Sequence, residues 1–374
     1  MLISCKSYND FINQKSTLIE NKSQKFDLNN NQIIIPLLIN NNKGEFLFDT
    51  GAMSSAIIDN DYIKQFSLTK ENYYTAVKVK GATGDYIASN HFISDSISSE
   101  IILGKKNVFK HVVVESKNSN CSQKTKKQVG IIGFDIFKNA AQPILIDFEN
   151  KNIIILNNNY LTDGYIKLDT KIKIGFGNKL IIPFLIDGVE TKFLFDTGNN
   201  GGFLISEKSN KIIDDKKSLE CEALIGTVGK VSFEKIKIYK NVSVKYKDLI
   251  NIKSNVSVFP KLTTNTVGIA FIRKFNWIID FKTGEVFIKK LKEISDDGSI
   301  FQMEKTKLKC ISLKDKLIIG FKNMNYQTIY NSGDEITSVN KQKVTPENIC
   351  DMQDLLNKTE DWNTLNLEVI PAVK

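Results

Sequence analysis

Arginine is almost absent from this chain of 374 residues: among 51 Lys+Arg residues only Arg273 is an arginine. The net charge of +9 therefore rests on lysines, which are scattered with no run longer than two. Phosphate and nucleic-acid sites favour the planar, bidentate guanidinium, so the charge reads as a solvated lysine surface and no nucleic-acid partner is expected. Histidine is equally scarce, with His91 and His111 alone, which rules out a metal site built on several imidazoles. Five cysteines (Cys5, Cys121, Cys221, Cys310, Cys350) show no C-x-x-C and no regular spacing, so neither a zinc site nor a disulfide framework is signalled. There is no G-x-S-x-G and no G-x-x-x-x-G-K-[ST]. No run of 18 apolar residues is present to span a membrane as a helix. Six prolines and 21 glycines exclude collagen-like chains. Any catalysis is left to carboxylates, lysines and hydroxyls.

What is there is enough for cores: 41% hydrophobic residues, including 23 Phe, over a length that suits two or three domains. At the N-terminus, Leu2-Ile3-Ser4-Cys5 resembles a bacterial lipobox, and the residues up to 27 form a polar stretch. The expectation is a polar tail or lipoprotein tether over 1–27. It would be lipidated at Cys5, extracytoplasmic and membrane-anchored, with the leader missing from the sequence; a chance tetrapeptide is the other reading.

Residues 33–51 and 180–198 form a repeat at a constant offset of 147, identical at 11 of 19 positions. Each copy is an apolar strand, a polar turn, a second apolar strand and then Asp-Thr-Gly, the pattern of a β-hairpin that delivers an aspartate. Two further landmarks recur in order. Gly81-Ala82-Thr83-Gly84 and Gly226-Thr227-Val228-Gly229 read as glycine-tipped hairpins. Val129-Gly130-Ile131-Ile132-Gly133-Phe134-Asp135 and Val267-Gly268-Ile269-Ala270-Phe271 each precede a strand that ends in Asp-Phe. Two such halves packed about a pseudo-two-fold axis bring any group near that axis against its copy. Two aspartates so placed share a proton. The ionised one can then take a proton from water while the neutral one donates to a substrate carbonyl.

On Phe48-Asp49-Thr50-Gly51-Ala52, Phe195-Asp196-Thr197-Gly198 and Ile131-Ile132-Gly133, residues 30–292 resemble the aspartic proteases, specifically retropepsin-like units fused in one chain. The resemblance implies a mainly β fold of two homologous β-barrel halves, over 28–160 and 161–292, and an aspartic endopeptidase that needs no metal or cofactor and acts on polypeptide. It implies Asp49 and Asp196 as the catalytic dyad, with Thr50 and Thr197 bracing the two loops and Gly51 and Gly198 letting them turn. Gly81–Gly84 would be the flap over the substrate and Gly226–Gly229 a second one. The second half departs from the family at Asn199, where Ala or Ser is usual, and at Gly202, where Ser55 of the first half complies; Ala270 is expected in the place of a glycine. A non-catalytic peptide-binding or scaffolding protein that keeps the fold is the alternative. The internal duplication makes a monomer sufficient.

A polar stretch over 293–307 reads as a linker. In 308–374, Gly333-Asp334-Glu335-Ile336 followed by Val339-Asn340, a helix opened by Thr345-Pro346 and a closing strand through Leu365, Leu367 and Val369 resemble a small α+β PDZ domain. That resemblance implies Ile318-Ile319-Gly320-Phe321 as a peptide-carboxylate loop and a C-terminal peptide as ligand. A remnant that packs on the first two units is the other reading.

Overall fold

The computed structural model describes residues 15–29, 31–70, 77–81, 86–112, 121, 128–137, 142–170, 179–210, 218–227, 230–292, 306–313 and 315–372. Cys5, the tip residues Ala82, Thr83, Gly84, Val228 and Gly229, and most of the proposed linker lie outside them. The chain is mainly β.

The first half contributes β1 (Gln32–Ile39), β2 (Asn42–Asp49), β3 (Ala56–Ile57), β4 (Val77–Lys80), β5 (Tyr86–Ser89), β6 (His91–Ser98), β7 (Ile102–His111) and β8 (Gln128–Gly133). Six of these close into a ring, β1-β2-β8-β3-β7-β6 and back to β1. The pairs β2–β8 and β3–β7 are parallel and the others antiparallel. β9 (Ile144–Asp147) and β10 (Asn152–Ile155) follow outside the ring.

The second half repeats this plan with β11 (Ile181–Ile186), β12 (Val189–Phe195), β13 (Phe203–Ser206), β14 (Ser218–Thr227), β15 (Lys230–Tyr246), β16 (Ile250–Phe259), β17 (Thr266–Val267), β18 (Phe275–Ile279) and β19 (Val286–Lys290). Its ring is β11-β12-β17-β13-β16-β15, with the same order of parallel and antiparallel pairs. Between the rings, β9 pairs antiparallel with β18, so β10, β9, β18 and β19 form the centre of a six-stranded sheet shared by both halves.

Local chemistry sets the repeated hairpins. β1 turns into β2 through Asn40 and Asn41, both at positive φ (46° and 65°). Asn tolerates that region, and two such residues make the tight turn whose twist matches the strands. Asp187-Gly188 does the same between β11 and β12. Pro36 has no N–H to offer, and it sits where the outer edge of β1 has no strand partner. Residues 27–29 pair with β1 only over 32–34, and β6 only over 38–39. Both barrels and the shared sheet bury one continuous core, including Phe48, Phe134, Ile146, Phe184, Phe195, Phe203 and Trp277.

The C-terminal unit is β20 (Leu308–Leu313), β21 (Lys316–Asn323), β22 (Glu335–Val339), helix α1 (Ile349–Lys358) and β23 (Leu367–Ile370). It has its own core of Leu317, Ile319, Ile336, Ile349, Leu356 and Trp362, among others. The helix starts three residues after the expected Pro346, with Asn348 at its cap position. Two corrections arise here. Ile318, Ile319, Gly320 and Phe321 form no loop. They lie inside β21, which has β20 on one side and β22 and then β14 on the other, so they cannot present a row of free amides to a carboxylate. The cysteines also do form a bridge: Cys121, between β7 and β8, is disulfide-bonded to Cys350 of α1. Spacing gave no sign of it, because the partners are 229 residues apart.

Candidate active site

Asp49 ends β2, opposite Gly133 of the parallel strand β8. Asp196 follows directly on β12, its N–H bonded to the carbonyl of Val267 (3.0 Å). Both are half-buried. Each carboxylate is held by its own loop: Asp49 Oδ1 accepts from the N–H of Gly51 (2.8 Å) and Ala52 (3.0 Å), and Asp196 Oδ1 from Gly198 (3.0 Å) and Asn199 (3.2 Å). Each also leans on the opposite loop. A Cβ at Gly51 would stand 2.5 Å from Asp196 Oδ1, and one at Gly198 would run into the carboxylate of Asp49. Only glycine leaves that room, so the Asp-Thr-Gly spacing is a packing requirement across the axis as well as a turn.

The two threonines between them tie the loops together. Thr50 N–H donates to Thr197 Oγ1 (2.9 Å) and Thr197 N–H to Thr50 Oγ1 (3.0 Å). Thr50 Oγ1 donates to the carbonyl of Phe195 (2.9 Å) and Thr197 Oγ1 to that of Phe48 (2.6 Å). Both side chains are buried, so every hydroxyl and amide here would be costly to leave unpaired. This double exchange holds the two aspartates against each other's loops, each carboxylate beside the glycine of the opposite one.

The electrostatics follow from that contact. Burial raises the Asp196 carboxyl well above the ordinary range, and the charge of Asp49 raises it further. Asp49 is raised by burial too, with the backbone donors pulling the other way. The pair therefore holds a proton at a pH where separate carboxyls would have lost it.

The proposed flaps are hairpins as far as they are described. β4 pairs with β5 up to Lys80 opposite Tyr86, and Gly81 begins the tip. β14 pairs with β15 up to Gly226 opposite Val231 and Thr227 opposite Lys230. Their surroundings differ. Among the described residues the first is a two-stranded sheet by itself, whereas β14 is bonded along its outer edge to β21 of the C-terminal unit at Cys221, Glu222 and Ala223. Phe321 packs there against Cys221, Ala223, Ile236 and Ile238. On the far side of that unit, the outer edge of β20 is taken by α1. Asn357 Oδ1 accepts from the N–H of Cys310 (2.9 Å), its Nδ2 donates to the Cys310 carbonyl (3.0 Å), and Gln353 Oε1 accepts from the N–H of Ser312 (2.5 Å).

The second half also corrects an expected correspondence. Gly133 faces Asp49, and the residue in that place beside Asp196 is Gly268, directly after the Val267 that pairs with Phe195. The required glycine is present. Ala270 corresponds to Asp135 instead. Asp135 is buried and accepts from the Ser55 N–H (3.0 Å) and hydroxyl (2.9 Å), a contact the sequence alone had not singled out. Among the described residues no group of three or more His, Cys, Asp or Glu side chains could hold a metal ion. No protein-family model matches this chain, and no curated protein matches it.

Proposed function

We propose that this chain is a retropepsin-like aspartic endopeptidase that hydrolyses polypeptides at the Asp49–Asp196 pair. The observation that carries the reading is the pair itself: two half-buried carboxyls, each seated on the other's glycine and cross-braced by Thr50 and Thr197. In this reading the ionised carboxylate takes a proton from a water lying between the two groups, and the water oxygen attacks the scissile carbonyl carbon. The protonated carboxyl gives its proton to the carbonyl oxygen. The tetrahedral diol then collapses as a proton passes to the departing amine. Proton count is conserved across the cycle, so no cofactor is called for.

The C-terminal, PDZ-like unit enters the proposal as a holder of the second hairpin. Its strand β21 is already spent on β14, and the groove edge of β20 is already spent on Asn357 and Gln353, so peptide capture by strand addition has no free edge there. The Cys121–Cys350 bond suits an oxidising compartment, in keeping with an extracytoplasmic protein tethered through Cys5.

The test is digestion of an unfolded polypeptide and of fluorogenic peptides from acid to neutral pH by the wild type, Asp49→Asn and Asp196→Asn. Each substitution is expected to lower turnover by about 10²–10⁴-fold with the fold intact. A folded wild type that cleaves nothing across that range would leave a peptide-binding protein on a protease scaffold. A variant at Asp196 that keeps its activity would reduce the second barrel to a structural partner.

A further inference from the structure

The first loop is braced by a hydroxyl and a carboxyl: Ser55 N–H and Oγ–H both donate to Asp135, and Gly133 N–H donates to Ser55 Oγ (3.2 Å). The offset of 147 puts Gly202 in the place of Ser55, and the strand register puts Ala270 in the place of Asp135. Both partners of the brace are therefore gone together from the second half. Something else must hold the Asp196 loop, and its backbone shows what. Gly268 N–H bonds to the Gly202 carbonyl (2.9 Å), Ile269 N–H to the Asn199 carbonyl (2.9 Å) and Ala270 N–H to the Gly201 carbonyl (3.1 Å). The chain at 199–202 has closed onto the strand end directly. A Cβ at Gly268 would run into the carbonyls of Asn199 and Gly201.

The Asn199 side chain locks this closure. Its Nδ2 donates to Thr266 Oγ1 on β17 (2.9 Å) and to the Gly202 carbonyl (3.3 Å), and its Oδ1 accepts from the Gly201 N–H (2.8 Å). Its own backbone N–H is one of the two that hold Asp196 Oδ1. One residue thus binds the carboxylate through its backbone and anchors that backbone to the barrel through its side chain. The first-half counterpart, Ala52, has backbone bonds only: its N–H to Asp49 Oδ1, and its carbonyl accepting from Phe134 N–H (3.2 Å) as that of Asn199 accepts from Ile269.

We propose that Asn199 is the positioning residue of Asp196, its carboxamide replacing the Ser55–Asp135 pair of the first half. The proposal rests on the protease reading for its effect on turnover, but its effect on the Asp196 carboxyl does not. A carboxamide cannot titrate, so the second loop is held by a neutral brace, while the first is held by one that contains a carboxyl.

Two variants test this: Asn199→Ala, and the triple exchange Asn199→Ala, Gly202→Ser, Ala270→Asp, which rebuilds the first-half brace in the second half. The readouts are kcat and KM on a short peptide, the titration of Asp196 by carboxyl-carbon NMR, and amide exchange over residues 197–202. In Asn199→Ala the expected outcome is a loss of about 10²-fold in kcat with KM little changed, a shifted Asp196 titration and faster exchange at Asn199 and Gly201. The triple exchange is expected to bring kcat and the titration back towards wild type. A kcat within twofold and an unmoved titration in Asn199→Ala would overturn the proposal. So would a triple variant that regains stability but not kcat, since that marks a merely structural role. If the triple variant does not fold, the Asp196 titration in Asn199→Ala decides alone. If the wild type is inactive the protease reading fails by itself, and the titration and exchange measurements still decide whether Asn199 holds Asp196.

Discussion

In the first barrel the loop that carries Asp49 leans on a buried hydroxyl and carboxyl, Ser55 and Asp135; in the second the loop that carries Asp196 leans on a carboxamide, Asn199. The hairpins differ as well. Among the described residues β4–β5 stands as its own two-stranded sheet, and β14–β15 is part of a twelve-stranded one that runs on into the C-terminal unit. Against this, Asp, Thr and Gly at the axis are the same in both halves and make matching bonds. The comparison shows where a duplicated chain is free to diverge. On the axis each residue's partner is its own copy, so a change on one side strands a buried donor or acceptor on the other. Off the axis each half answers to different neighbours, and equivalent jobs are done by different groups.

The C-terminal contact offers the largest way to break the asymmetry of the hairpins. Phe321 is buried between β21 and the second hairpin. Phe321→Ala should cost about 3–5 kcal/mol, and the loss should fall on one side only. Amide exchange should quicken along 218–225 while 77–80 and 86–89 keep their wild-type rates. Equal loosening of both hairpins would show that the C-terminal unit is not what distinguishes them. The second attachment of that unit is the Cys121–Cys350 bond to the first half. Cys350→Ser should lower stability by about 2–4 kcal/mol, read by denaturant unfolding, and reduction of the wild type should reproduce that loss. No change on reduction would mean that the bridge does not form.

The symmetric part is tested by removing one hydroxyl at a time. Thr50→Val and Thr197→Val each delete one donor and strand one buried N–H, at about 1–3 kcal/mol. Because the bonds are exchanged in both directions, the two losses should be alike, and the double variant should cost less than their sum. Clearly unequal losses would show that the axis is no longer shared evenly.

Much of this was legible in the residues. The constant offset put both aspartates at hairpin ends, and the polar stretches 40–44 and 187–188 placed the turns, although Asn42, Lys43 and Gly44 belong to β2. What failed was register and long-range contact. Laying Ile131-Ile132-Gly133 over Gly268-Ile269-Ala270 puts Ala270 under Gly133. Pairing with β12 shows that the copy begins two residues earlier, and apolar composition alone cannot choose between the two. Ile318–Phe321 failed for a related reason. An apolar run interrupted by glycine suits a carboxylate loop, but it equally suits a strand with an irregular register, which is what β21 has opposite Lys309 and Cys310. The Cys121–Cys350 pair and the role of Asn199 depend on distances between remote segments, and spacing does not encode those.

The smallest expected effect separates the titrating groups of the two halves. Asp49 and Asp196 are raised above the ordinary 3.8 by burial, Asp196 also by its neighbour's charge, and Asp135 is raised by burial. For a carboxyl whose pKa is higher in the folded chain, the native state holds more protons than the unfolded state between 3.8 and the raised value. Stability therefore falls as pH rises through that window and is gained on acidification towards about 3.8. The exposed carboxyls held low, such as Asp169 beside Lys247, act in the opposite sense but only from about their unfolded values downward. His111, held below its ordinary 6.5 by burial, opposes this as pH falls through that region, so the gain in stability expected of the raised carboxyls from neutral pH down to about pH 4 is read against that loss. Asp196→Asn should flatten most of the gain, since it removes the carboxyl raised furthest and relieves Asp49 of its like-charged neighbour. The part that remains should belong to Asp135, in the first half alone, because Ala270 holds that position in the second. If Asp196→Asn left the pH slope unchanged, the axis would carry no shared proton and the acid–base assignment of the pair would fall with it.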